Sequence, residues 1–110
     1  MVMIFQSRKA LSHLLQRGVV FTFRPQRRKT GKDWITDRRG GRKIADVVVE
    51  EEGEFAPSGL GLYLEYSGFN TLDEWIEEIR MLNRRMPEKG WLYRVALVHA
   101  GHGPSWIRLF

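Results

Sequence analysis

Nine of the twenty residues from Arg24 to Lys43 (RPQRRKTGKDWITDRRGGRK) are basic, and one tryptophan, Trp34, stands among them. The bases are Arg24, Arg27, Arg28, Lys29, Lys32, Arg38, Arg39, Arg42 and Lys43. Six of the nine are arginine, whose planar fork suits two-point contact with phosphate. A tryptophan among cations can stack on an unpaired base or turn inward as a core anchor, and the sequence leaves both open for Trp34; Gly40–Gly41 would let the backbone approach a phosphate and offer its N–H groups. Only two acids, Asp33 and Asp37, oppose these bases, which leaves the segment at +7. The whole chain carries +5, so the other ninety residues sum to −2. Solubility needs no such segregation, because interspersed charge serves it as well. A concentrated positive field is what attracts a polyanion.

Other candidate chemistry is thinner. Gly31–Lys32 lies in a sequence without the rest of a phosphate-binding P-loop, since position 26 is Gln and position 33 is Asp. His99 and His102 have the spacing of a metal pair, but two ligands make no site, and no metal or other cofactor follows. Glu50, Glu51, Glu52 and Glu54 read as the solvated end of a strand that keeps a polyanion on the opposite surface. Asp46 sits among Ile44, Ala45, Val47 and Val48, where a buried carboxylate needs a partner, and an arginine of the basic segment is the expected one. Asp46 is therefore a structural carboxylate first and a catalytic candidate second.

The chain has 110 residues and 43% hydrophobic content, enough for one folded domain with a modest core. It has no cysteine, which excludes disulfides, thiolate metal sites and a cysteine nucleophile. No apolar run approaches the roughly 20 residues of a membrane span, and the N-terminus lacks the pattern of a secretory signal. No membrane role and a cytoplasmic location are the simplest expectations.

The elements that must position the basic segment follow from pattern. A helix is expected over residues 7–17, with Ser7 as N-cap, Leu11, Leu14 and Leu15 as its apolar stripe and Gly18 as its stop; His13 falls on its solvent side. VVFTFR (19–24) reads as a strand ended by Pro25. The basic segment follows as a loop, and KIADVVVEE (43–51) reads as a strand buried on both faces. Residues 53–68 give no clear element, since Gly59 and Gly61 disfavour a helix and LYLEY fits a short strand or a helical turn. TLDEWIEEIRMLNRRM (71–86) is an amphipathic helix opened by the Thr71/Glu74 capping box and stopped by Pro87. WLYRVALVHA (91–100) is a further strand, and WIRLF (106–110) a possible last one. The class is α+β, a small barrel-like sheet closed by helices.

These pieces together resemble an ASCH domain of the PUA-like superfamily of small β-barrels, over residues 10–98. The resemblance rests chiefly on GFNTLDEWIEEI, with TFR (22–24) similar to the end of the family's first conserved strand. It implies an RNA-associated role through the basic loop and its flanks. Part of the family hydrolyses acetylated cytidine with a Lys–Thr–Glu set. Thr22 matches the threonine, but the lysine expected three residues earlier is Val19, which transfers no proton. The alternative that remains is an enzyme on a modified nucleoside, with Thr22 and Asp46 near the chemistry and Arg24 or Lys43 replacing the lysine. A third is a small module docking on an acidic protein.

Overall fold

The computed structural model describes residues 2–98. Ser7 turns extended chain into helix α1 (Arg8–Arg17): its hydroxyl accepts from the Ala10 N–H at 3.3 Å, and Gly18 ends the helix at φ 85°, a left-handed cap that favours glycine. Leu14 and Ala10 carry the buried face. His13 is half-buried rather than solvent-facing, with its Nδ1 3.0 Å from the Val19 carbonyl oxygen.

Five strands form one mixed sheet in the order β1-β3-β4-β5-β2. They are β1 (Val2–Ile4), β2 (Val19–Arg24), β3 (Gly31–Thr36), β4 (Ala45–Phe55) and β5 (Gly90–Leu97). β1 runs parallel to β3, and every other pairing is antiparallel. The sheet curls into a half-barrel. Its inward face buries Val20, Ile35, Val47, Val49, Tyr93 and Val95 against Met3, Phe5 and the α1 residues Ala10 and Leu14. Its outward face is covered at the β2–β5 end, where Phe23 and Leu92 meet Trp75 and Ile79 of α2 (Leu72–Asn83) and Leu60 of a run of 3₁₀ turns (Pro57–Tyr66). Phe21 extends that cover, with its ring centroid 5.1 Å from that of Tyr63 and 6.0 Å from that of Tyr66. The architecture is thus a compact α+β domain in which two helices and a 3₁₀ run sit on opposite faces of one curled sheet.

α2 begins as its sequence requires. Thr71 Oγ1 accepts from the Glu74 N–H at 3.1 Å, while Glu74 reaches back to the Asn70 N–H at 3.2 Å. The helix stops at Asn83, three residues short of the expected Met86, because Arg84 adopts φ 61°. Residues 57–66 are neither strand nor α-helix; two glycines and an N-terminal proline leave the tighter 3₁₀ turns as the way to bury Leu60. β4 runs four residues beyond the expected Glu51 and carries a register shift between Glu51 and Gly53. It is not buried on both faces. Val47 and Val49 enter the core, whereas Ile44 and Asp46 are exposed. The possible strand at 106–110, the His99/His102 pair and the end of the 91–100 strand lie outside the described residues. No helix among the described residues is long and apolar enough to cross a membrane.

Candidate nucleic-acid interface

The basic segment is not one loop between two strands. Its middle forms β3, so Arg24–Lys43 is the end of β2, a turn, a six-residue strand and a second turn. β3 was hidden by charge. Its inward residues are Asp33 and Ile35, and Asp33 is tolerated there because the Arg28 guanidinium binds Asp33 Oδ2 while Asp33 Oδ1 accepts from the Trp34 N–H at 2.8 Å. The first turn is fixed further by the Arg28 N–H, which donates to the Tyr93 hydroxyl at 2.7 Å. The second turn closes over Thr36, and glycine is required at position 41, since a Cβ there would sit 2.5 Å from Thr36 Oγ1. Gly40, at φ 73°, supplies the left-handed residue of the same turn. These two glycines serve the turn's own packing, which accounts for them without a phosphate.

The nine bases divide by partner. Arg27 binds Glu51 at 2.9 Å, Arg28 binds Asp33, Arg38 binds its neighbour Asp37 at 3.2 Å, and Lys43 binds Asp46 at 2.9 Å. Arg24, Lys29, Lys32, Arg39 and Arg42 have no carboxylate within 4.0 Å among the described residues. Of these five, Lys29, Lys32, Arg39 and Arg42 are exposed. The acidic run does not stand apart from the bases as expected. Glu51 neutralises Arg27, Glu50 binds Arg94 at 3.3 Å and Glu54 binds Lys89 at 3.0 Å.

Strand alternation places Trp34. Ile35 enters the inward core, so Lys32 and Trp34 project outward. Trp34 lies opposite Asp46 on β4 and Val2 on β1, and Lys32 lies opposite Val48. Trp34 is half-buried and belongs to neither apolar cluster. The sheet residues under α2 and the 3₁₀ run come from β2, β4 and β5, so the outward face of β3 lies outside that cover. Trp34 is thus an aromatic on a sheet face, with Lys29 in the turn before its strand and Arg39 and Arg42 in the turn after it. β3 spans roughly 20 Å at the usual rise per residue.

Thr22 and Asp46, the alternative catalytic pair, are not brought together. Thr22 is buried beside the inward core, while Asp46 is exposed on the outward face and paired with Lys43 rather than with an arginine. Thr22 lines a cleft of about 150 Å³ at the seam where the two edge strands, β1 and β2, approach. Arg24 bridges that seam: its Nη1 donates to the Ile4 carbonyl at 2.9 Å, its Nε donates to Thr22 Oγ1 at 3.3 Å, and its guanidinium lies 5.1 Å over the Phe5 ring. Burial, reinforced by the nearby Arg28 charge and partly opposed by Tyr93, pushes the Arg24 pKa down to about 10. It remains a cation at neutral pH. The described residues lining this cleft include no Asp, Glu, His or Lys. Sequence reasoning grouped Arg24 with the phosphate-binding bases; its separate role depends on the meeting of two sheet edges, which no local pattern encodes.

Among the described residues no group of three His, Asp or Glu side chains is placed to hold a metal ion. No protein-family model matches the chain, and neither a curated protein nor a solved structure matches it.

Proposed function

We propose that this chain binds single-stranded RNA along β3, as a PUA-like domain of the ASCH type. One observation carries the proposal: among the described residues, four exposed cations without carboxylate partners stand on β3 and in its two turns, about a half-exposed tryptophan on a sheet face outside the cover of α2 and the 3₁₀ run. Lys29, Lys32, Arg39 and Arg42 contact phosphates, and Trp34 stacks on a base. A duplex keeps its bases stacked inside, which leaves the ring nothing to face, so unpaired RNA is the better ligand. Arg27, Arg28, Arg38 and Lys43 contribute less, because a carboxylate already holds each of them. RNA rather than DNA is supported by the resemblance of GFNTLDEWIEEI and TFR to the ASCH pattern.

The test is binding of a fluorescently labelled 12-nucleotide RNA at about 0.1 M salt. The variant K29A/K32A/R39A/R42A is expected to lose roughly a hundredfold in affinity or more. Trp34→Ala is expected to lose about 1–3 kcal/mol. Arg27→Ala and Arg38→Ala are expected to stay within about threefold of the parent chain. Quadruple-variant affinity within twofold of the parent would place the binding face elsewhere.

A further inference from the structure

We propose that the seam cleft is a second site, which takes a phosphate monoester on Arg24. It lies at the β1–β2 seam, where Phe5, Ala10 and Thr22 of the inward side meet the end of α2 at Leu82 and Asn83, and it does not depend on the RNA proposal. The argument begins with an imbalance of charge. Arg24 is partly buried, and a guanidinium drawn even partly out of water is best held when a carboxylate or several strong acceptors answer it. Arg24 has two neutral acceptors, the Ile4 carbonyl and the Thr22 hydroxyl, and the face of the Phe5 ring. The two described carboxylates that the neighbouring turn engages belong to other bases, Glu51 to Arg27 and Asp33 to Arg28.

Those two bonds use two of the five guanidinium N–H groups and leave three, and Arg24 lines the cleft beside Asn83. Thr22 accepts from Arg24, and its own proton has no acceptor among the described residues. Asn83 spends one amide N–H on the Ile79 carbonyl at 2.8 Å and retains the other. Arg24, Thr22 and Asn83, each with a donor to spare, thus line one cleft of about 150 Å³, and its described lining offers no carboxylate to repel an anion. That volume has room for a phosphate group. A tetrahedral dianion has enough lone pairs to answer a guanidinium edge, a hydroxyl and an amide at once, which a carboxylate does with more difficulty.

The experiment uses inorganic phosphate as the probe, with chloride at matched ionic strength as the control. The arginine Nε–H signals are followed by ¹H–¹⁵N NMR, and Arg24 is identified by the signal missing from Arg24→Met. Saturable movement of the Arg24 signal with phosphate, and none with chloride, is expected. Thr22→Val, which keeps the volume and removes the hydroxyl, is expected to weaken phosphate binding about tenfold. If Arg24→Met does not fold, specific ¹⁵N labelling of arginine and the Thr22→Val comparison still decide the matter. Two further probes, 5′-phosphorylated and 5′-hydroxyl RNA, distinguish the source. A terminal nucleic-acid phosphate makes the first compete with inorganic phosphate and the second not, and equal failure of both assigns the cleft to a free small phosphate. An Arg24 signal that follows chloride and phosphate alike overturns the proposal, as does unchanged phosphate affinity in Thr22→Val.

Discussion

Replacing Asp33 with alanine strikes the anchor of the basic segment. The Asp33 side chain is 6% exposed and that of Arg28 15%, whereas the Lys43–Asp46 pair is about half exposed on both sides. Removing one partner of an enclosed pair leaves the other charge desolvated and unanswered, a loss of about 3–5 kcal/mol. Asp33→Ala also deprives the Trp34 N–H of its acceptor, which places the expected loss toward the upper end. For a domain of this size each kcal/mol corresponds to about 4 °C, so the melting temperature should fall by about 12–20 °C. Asp46→Ala, the exposed comparison, should cost under about 1 kcal/mol. The double variant R28M/D33L fills similar volume without charge and should recover most of the loss. Denaturant unfolding with a common slope is the assay. If Asp33→Ala lies within about 1 kcal/mol of Asp46→Ala, the claim that Arg28 is an internal tie rather than a ligand for phosphate fails.

Thr36 is 1% exposed and its Oγ1 has no hydrogen-bond partner among the described residues. Thr36→Val should therefore stabilise the fold by about 1 kcal/mol, and a lower unfolding midpoint would show that the hydroxyl is satisfied. Tyr93→Phe removes the acceptor for the Arg28 N–H and should cost about 1–2 kcal/mol without altering the core, readable in the same titration. The Lys9 ammonium and the Asn70 N–H hold the Glu74 carboxyl below its ordinary 4.5. Its contribution is present above that value and is lost as pH falls through the depressed folded value. Glu74→Gln should accordingly flatten the acid limb of a stability–pH curve, and an unchanged limb would refute the linkage.

The helices were legible because their signals are local. Ser7, Gly18, Thr71 and Glu74 each act within four residues, and the apolar spacing of α2 needs only one partner face. The half-barrel was legible as a class and not in its closure. β1 is three residues long and gains its place only from parallel pairing with β3, which was itself concealed by flanking charge. Asp33 reads as a loop residue until Arg28 is folded against it. The run Ile44–Val49 suggested burial on both faces because its residues are apolar, yet among the described residues its outward side lies beyond the cover of α2 and the 3₁₀ run. Asp46 is exposed and Trp34 half-exposed on that same side. Charge segregation marked a stretch of twenty residues; pairing decided which of its bases lack a carboxylate, and pairing is a tertiary property.

The salt dependence of RNA binding tests the central claim most directly. Four phosphate contacts on a single strand correspond to a slope of about −2.8 in log affinity against log salt, and K29A/K32A/R39A/R42A should flatten it nearly to zero. A parent chain whose affinity is indifferent to salt, or a quadruple variant that keeps the parental slope, would contradict the assignment of β3 and its turns as the nucleic-acid surface.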